Sequence, residues 1–204
     1  MIKDFDLKLK TERLCKYVAG YDECGRGAIC GSFVAAVCVP NDDFVEATIN
    51  DSKKLTELKR FELANVIKEN SSFYKIIEYS NQEIDIIGIQ TINISAFETL
   101  YEFVPFTSTL HLVDGNIMSS SPWCTSIIKG DSTSFAIACA SILAKTYRDN
   151  MMIELSSQYP GYNLEKNKGY GEDYISKVKE LGTPNEIHRF SYKIKLNDDQ
   201  IKLY

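Results

Sequence analysis

The sequence predicts an α/β fold with a helical C-terminal part. Three observations carry this. Short apolar runs of strand length recur up to residue 131, bounded by polar or glycine-containing segments. Segments of helical periodicity lie between them. An Ala- and Leu-rich stretch over 132–155 and an amphipathic one over 172–182 then close the chain.

LCKYVAGY (14–21) and GSFVAAVCV (31–39) are two apolar runs with a tight connection, which suggests antiparallel strands with Asp22 and Glu23 just past the first. TELKRFELANVIKEN (56–70) places Leu58, Phe61, Leu63, Ala64, Val66 and Ile67 mainly on one helical face. SFYKIIEYS (72–80) reads as a third strand. SAFETLYEFV (95–104) reads as a helix, with Ser95 and Glu98 at capping-box spacing. TLHLVDG (109–115) and WCTSIIKGD (123–131) read as fourth and fifth strands, each ending in an acid. The stretch 132–155 has almost no turn signals, and its alanines suit close packing of a buried helix on a sheet. In EDYISKVKELG (172–182) the acids lead, the lysines follow, and Gly182 and Pro184 mark the stop.

The chain has 204 residues, a size suited to one domain that buries a full core without disulfides. We read 1–204 as a single catalytic domain, with an α/β core over about 1–150 and a helical, substrate-contacting part over about 151–204. No apolar run is long enough to span a bilayer, and the N-terminus has no apolar segment of the signal-peptide kind; a cytoplasmic protein is expected. The six cysteines form no CxxC pair and read as reduced core residues rather than zinc ligands. A net charge of -5 argues against broad coating of nucleic acid. Residues 166–195 are nevertheless locally basic, with seven Lys/Arg against four acids; on charge alone this reads as a solvated surface, with a local binding face as the alternative.

Acids at strand ends are the informative feature: Asp22 with Glu23, then Asp114, then Asp131. In an α/β sheet such ends converge on one edge, where ligands bind. Each acid taken singly reads as a cap on a turn or helix. Three such sites, the first doubled, favour a metal centre, because gathered carboxylates repel unless cations separate them. An all-oxygen donor set selects Mg²⁺ or Mn²⁺. Two ions about 4 Å apart clamp a phosphodiester, one activating water and one stabilising the leaving oxygen.

The segment GRGAICG (25–31) does not fit a dinucleotide loop. Its spacing is G-x-G-x-x-x-G, a strand follows instead of a helix, and the preceding acid pair would repel a pyrophosphate. This excludes a nucleotide-dependent oxidoreductase. The glycines fit close backbone approach to a ligand, with Arg26 supplying charge-assisted contacts to phosphate; a tight turn with an exposed arginine is the alternative.

These residues together resemble the ribonuclease HII family, the type 2 ribonucleases H. The resemblance covers roughly 17–192: AGYDECGRG (19–27), NDSKKLTELKR (50–60), LVDG (112–115), KGDSTSFAIACASILAKTYRD (129–149), NKGYG (167–171) and TPNEIHRFSY (183–192), six motifs in order. It implies an RNase H-like fold, with a mixed central β-sheet flanked by helices and a small C-terminal helical part. It implies hydrolysis of RNA in RNA–DNA hybrids and incision 5′ to ribonucleotides embedded in duplex DNA, with roles in ribonucleotide removal and RNA primer removal. By the resemblance, Asp22, Glu23, Asp114 and Asp131 would be the catalytic, metal-binding carboxylates for Mg²⁺ or Mn²⁺. Gly25, Arg26 and Gly27 would recognise the 2′-hydroxyl and backbone at the RNA-to-DNA junction. Tyr170 would pack on the sugar there, and Lys53 and Lys54 would lie near substrate phosphates. A 2′-hydroxyl is what separates RNA from DNA at one position, and glycines allow the backbone to reach it. Without its motif Tyr170 would be one of twelve ordinary tyrosines. His188 reads as a structural hydrogen-bonding residue, and Trp123 as core. A monomer is expected.

Some positions depart from the family pattern: Tyr21 and Cys24 flank the acids, Ala28 stands where proline is frequent, and Thr133 replaces a lysine after the fourth acid. Two rival readings are a catalytically inactive hybrid-binding module and another two-metal nuclease of the same fold acting on DNA. Four acids facing a phosphate backbone argue against the first; the glycine-flanked arginine and Tyr170 argue against the second.

Overall fold

The structure, a computed structural model, describes residues 2–49 and 55–192. In chain order it contains α1 (Ile2–Glu12), β1 (Tyr17–Cys24), β2 (Phe33–Pro40), α2 (Glu57–Glu69), β3 (Ser71–Tyr79), α3 (Asn81–Ile87), α4 (Ile89–Phe103), β4 (Thr109–Asp114) and β5 (Thr125–Ile127). A 3-10 turn (Gly130–Ser132) then leads into α5 (Phe135–Gln158), α6 (Leu164–Asn167) and α7 (Gly171–Leu181). The five strands form one mixed sheet in the order β3-β2-β1-β4-β5. β1, β2 and β3 are joined antiparallel, whereas β1–β4 and β4–β5 are parallel.

Alternation along the strands sorts the core onto two faces. Val34, Ala36 and Cys38 of β2 pack with Leu63, Ala64 and Ile67 of α2 and with the apolar side of α5. Phe33, Ala35, Val37 and Val39 pack on the opposite side with Ile92, Ala96, Phe97 and Leu100 of α4. β2 is therefore buried on both faces, which is why its sequence is apolar without interruption. A separate apolar cluster of Cys30, Met152, Leu164, Tyr174, Val178 and Ile187 joins the C-terminal helices to the far end of α5.

Several elements differ from the sequence reading. β1 does not stop before the acids. It continues through Asp22, Glu23 and Cys24, because the antiparallel ladder to β2 runs on to the pair Cys24–Val34. The helix expected from residue 95 starts at Ile89, so Ser95 lies inside it and caps nothing. The capping box that does form is Ser80 with Glu83, at the start of α3. α1 and α3 carried no clear periodic signal. Tyr21, one of the departures, is fully buried, and its hydroxyl shares a hydrogen bond of 2.7 Å with Nδ1 of His111 on β4. Trp123 packs beside Tyr21, Tyr101 and His111, as part of the core edge. All six cysteines are free thiols.

The alanines of α5 serve the expected purpose, but the closest approach is set by a residue of the strand. Gly20 of β1 lies so near the first turn of α5 that an added Cβ would stand 2.0 Å from the Ala136 carbonyl carbon and 2.2 Å from the Ile137 nitrogen. Both are backbone atoms and cannot rotate away. Ser134 caps this helix by accepting from the Ile137 amide, and Asp6 of α1 accepts from the Ala136 amide at 2.8 Å. Gly20→Ala is therefore expected to destabilise by more than the ~1–3 kcal/mol of ordinary overpacking. Denaturant unfolding checks this; a midpoint close to that of the wild type would show that α5 can move off the sheet.

Candidate active site

β1 and β4 run parallel in the register Gly20–Leu112 and Tyr21–Val113. The next position on each strand is an acid, so Asp22 and Asp114 end side by side at one edge of the sheet. β4 pairs in turn with β5 through Asp114–Ile127, and the chain leaving β5 turns back at Gly130–Ser132. There the Gly130 amide donates to Oδ1 of Asp114 at 2.5 Å. A Cβ on Gly130 would crowd this contact, meeting the tip of the Ile137 side chain at 2.6 Å and the Asp114 carboxylate at 3.0 Å. Asp131 follows directly, on the 3-10 turn.

Asp22 is only 6% exposed. Its Oδ1 accepts the Glu23 amide at 2.8 Å, and the Ser141 hydroxyl of α5 lies beside it. Burial, with Glu23 and Asp114 as negative neighbours, pushes its carboxyl well above the usual range. Burial and Asp114 also raise Glu23, opposed by Arg26, whose guanidinium stands 3.0 Å from the Glu23 carboxylate. The acids thus share an edge and repel. Among the described residues no three His, Cys, Asp or Glu side chains close into a ready-made metal cage. Oxygen-only, mutually repelling donors, one of them buried, with an exposed arginine beside them are a set that hard divalent cations fit; bound there, such ions would hold Asp22, Glu23, Asp114 and Asp131 together.

Gly25-Arg26-Gly27 begins where β1 ends. Arg26 and Gly27 are exposed, while Gly25 is buried at φ +95°. A Cβ on Gly25 would lie 2.4 Å from Nε of Arg148, so packing inside the protein demands this glycine. Gly27 is different: a Cβ there meets nothing within 4 Å. Nothing in the described protein requires Gly27 to lack a side chain. Tyr170 sits half-buried beyond the loop, with the Arg148 guanidinium 5.0 Å from its ring centre and its hydroxyl beside the Cys24 thiol. Burial raises the Tyr170 hydroxyl to about 12. Cys24 is also raised, first by its burial, with Asp149 as the acidic neighbour and Arg148 and Lys145 opposing. Lys53 and Lys54 lie outside the described residues.

Two residues that the sequence reading passed over organise this region. Arg148 and Arg189 are both fully buried. Arg148 donates to the carbonyls of Ser32, Cys30 and Lys168 at 2.9–3.0 Å. Arg189 donates to Gly31 at 2.8 Å and to Gly25 at 2.7 Å. Among the described residues neither pairs with a carboxylate; backbone carbonyls and the rings of Tyr170 and Tyr192 surround them instead. The backbone adds to the joint: Ile29 donates to Gly169, Gly31 to Ile187, and Arg189 to Ile29. Tyr192 donates to the Arg26 carbonyl. Asn81 holds the same strap from outside, donating to the carbonyls of Glu186 and His188. His188 is buried and shares a hydrogen bond of 3.2 Å with Tyr174, the structural role expected of it. Among the described residues the local excess of lysine and arginine is partly internal: Lys168 and Arg189 are buried, and Lys177 pairs with Glu180 at 2.8 Å.

The family model described as Ribonuclease HII matches residues 19–195, which include the acid edge, the glycine loop, α5 and the C-terminal strap. The chain belongs to the ribonuclease HII family. Ribonuclease HII of Clostridium perfringens strain 13 is 44% identical over 182 residues, covering 87% of this chain and 66% of its own length. The chain therefore spans just under two thirds of that relative. The fold is similar to that of the Archaeoglobus fulgidus RNase HII solved in complex with PCNA, with a TM-score of 0.74 and 22% identity, over 90% of this chain and 99% of that one. It is also similar to Bst-RNase HIII solved in complex with Mn²⁺, with a TM-score of 0.66 and 17% identity, over 90% of this chain and 70% of that one. The mixed sheet flanked by helices is thus the RNase H-like fold. No helix among the described residues is long and apolar enough to cross a membrane.

Crowding of carboxylates at the sheet edge has a cost that one substitution relieves. Asp22→Asn keeps an oxygen for the Glu23 amide and removes a buried charge. Its melting temperature in EDTA is expected to rise above that of the wild type, by about 2–4 °C for each kcal/mol relieved in a chain of this size. A fall would show that the charge of Asp22 is already satisfied within the protein.

Proposed function

We propose that this chain is a ribonuclease H that hydrolyses the RNA strand of RNA–DNA hybrids and incises 5′ to ribonucleotides embedded in duplex DNA. The observation that carries the reading is the parallel register of β1 and β4. It sets Asp22, Glu23 and Asp114 from separate motifs at one edge, and the glycine loop starts from that same edge. Membership of the ribonuclease HII family supports it.

In this reading Asp22, Glu23, Asp114 and Asp131 hold two Mg²⁺ or Mn²⁺ ions. When bound, such ions supply activation of water and electrostatic stabilisation of the leaving oxygen. The rest of the work falls to the chain. Gly27, whose bare backbone nothing among the described residues explains, approaches the ribose at the junction, where a single 2′-hydroxyl distinguishes RNA from DNA. Arg26, placed against Glu23, exchanges that contact for a substrate phosphate when cations neutralise the acid. Tyr170, stacked over Arg148, offers a held ring for the sugar. Lys53 and Lys54 contact phosphates further along. The chain acts as a cytoplasmic monomer in ribonucleotide removal and RNA primer removal.

A labelled DNA duplex with one ribonucleotide, beside an all-DNA duplex, tests this in Mg²⁺, Mn²⁺ and EDTA. The expected result is a metal-dependent nick 5′ to the ribonucleotide, absent from the control and reduced at least about 10²-fold in Asp22→Asn and Asp114→Asn. Binding without a nick in any metal would favour the inactive hybrid-binding module. Cleavage of the all-DNA duplex would favour a DNA nuclease on the same fold.

A further inference from the structure

We infer that Arg148 and Arg189 are positioning residues that aim the backbone of Gly25-Arg26-Gly27 at the substrate, and that Tyr192 completes their grip. The inference rests on the proposed role of that loop in reading ribose.

The geometry follows from the planarity of the peptide. In a trans peptide the carbonyl and the next residue's N–H point in opposite directions, and there is no cis peptide bond among the described residues. Arg189 draws the Gly25 carbonyl inward at 2.7 Å, which turns the Arg26 amide outward. The Tyr192 hydroxyl, with Arg189 behind it, draws the Arg26 carbonyl inward, which turns the Gly27 amide outward. Arg26 and Gly27 are exposed, so two consecutive N–H donors face solvent next to the acid edge. Consecutive outward amides of this kind suit a phosphate or hydroxyl oxygen.

Arg148 fixes the other end of the same segment through the carbonyls of Cys30 and Ser32, and ties it to Lys168, two residues before Tyr170. Gly25 and Gly31 must both be glycine for this fit: a Cβ would lie 2.4 Å from Arg148 at the first and 2.8 Å from Met152 at the second. Lysine cannot replace either arginine, since one ammonium on a flexible stem lacks the planar fork that reaches several carbonyls at once. One further donor, Nη2 of Arg189, is buried with no hydrogen-bond partner among the described residues. The protein tolerates that unmet donor to keep the fork where it is.

The test compares wild type, Arg148→Lys, Arg189→Lys and Tyr192→Phe on two substrates, with melting temperature and the half-saturating Mn²⁺ concentration measured in parallel. A duplex with one ribonucleotide offers a single 2′-hydroxyl, so its cleavage depends on loop position. A uniform RNA–DNA hybrid offers one at every register. We expect the arginine variants to lose about 10²-fold in kcat/KM on the first substrate. Tyr192→Phe should lose about 5-fold there with an unchanged melting temperature. All three should lose distinctly less on the uniform hybrid and keep the Mn²⁺ requirement. Equal losses on both substrates, or none, would overturn the inference, because a merely structural role lowers both alike. If the arginine variants do not fold, Tyr192→Phe decides on its own. A wild type inactive on both substrates would refute the ribose-reading role, and this inference with it.

Discussion

Two guanidinium groups with no acidic partner among the described residues hold this end of the molecule together. Burying a cation is costly unless its donors are used, and here, Nη2 of Arg189 apart, they are used on main-chain carbonyls and a tyrosine hydroxyl. Such charge-assisted bonds contribute roughly 1.5–3 kcal/mol each, and an abandoned buried carbonyl costs about 1–3 kcal/mol. The carbonyls belong to the glycine loop and to the turn before Tyr170, while the arginines come from α5 and the C-terminal strap. Four pieces of chain are thereby fixed as one body.

The acid edge depends on a different contact. Gly20 lets the first turn of α5 touch β1 backbone to backbone. That seats Ser141 beside Asp22 and sets the turn whose Gly130 amide holds Asp114. α5 therefore serves both halves of the site: its N-terminal end frames the carboxylates, and Arg148, further along, frames the loop. The helix is long enough to reach from the carboxylate edge to the glycine loop.

Much of this was legible in the sequence. The strands, the long buried helix and the four acids followed from apolar runs, alanine content and the position of charge at strand ends. What escaped has physical reasons. Charge was read as the end of β1, yet a strand can carry Asp22 and Glu23 when its ladder continues and its edge faces a ligand site. The capping pattern Ser-x-x-Glu occurs at 80–83 and at 95–98, and only packing distinguishes a helix start from a helix interior. Arg189 was counted only as part of a locally basic stretch and Arg148 only as part of a buried helix, since neither a charge count nor a helical pattern registers that the carbonyls of Gly25, Cys30, Gly31 and Ser32 would need donors. The glycines divide in the same way: Gly25 answers to Arg148, whereas Gly27 answers to nothing inside the protein.

Amide hydrogen exchange across residues 25–31 and 187–189 tests the central claim most directly. Ile29, Gly31 and Arg189 donate across the joint, whereas the exposed Arg26 and Gly27 donate to no backbone carbonyl among the described residues. The account predicts that Ile29, Gly31 and Arg189 exchange slowly and open together, as one cooperative unit, while Arg26 and Gly27 in the same loop exchange fast. Rapid exchange at Gly31 and Arg189, or protection at Arg26 and Gly27, would contradict it.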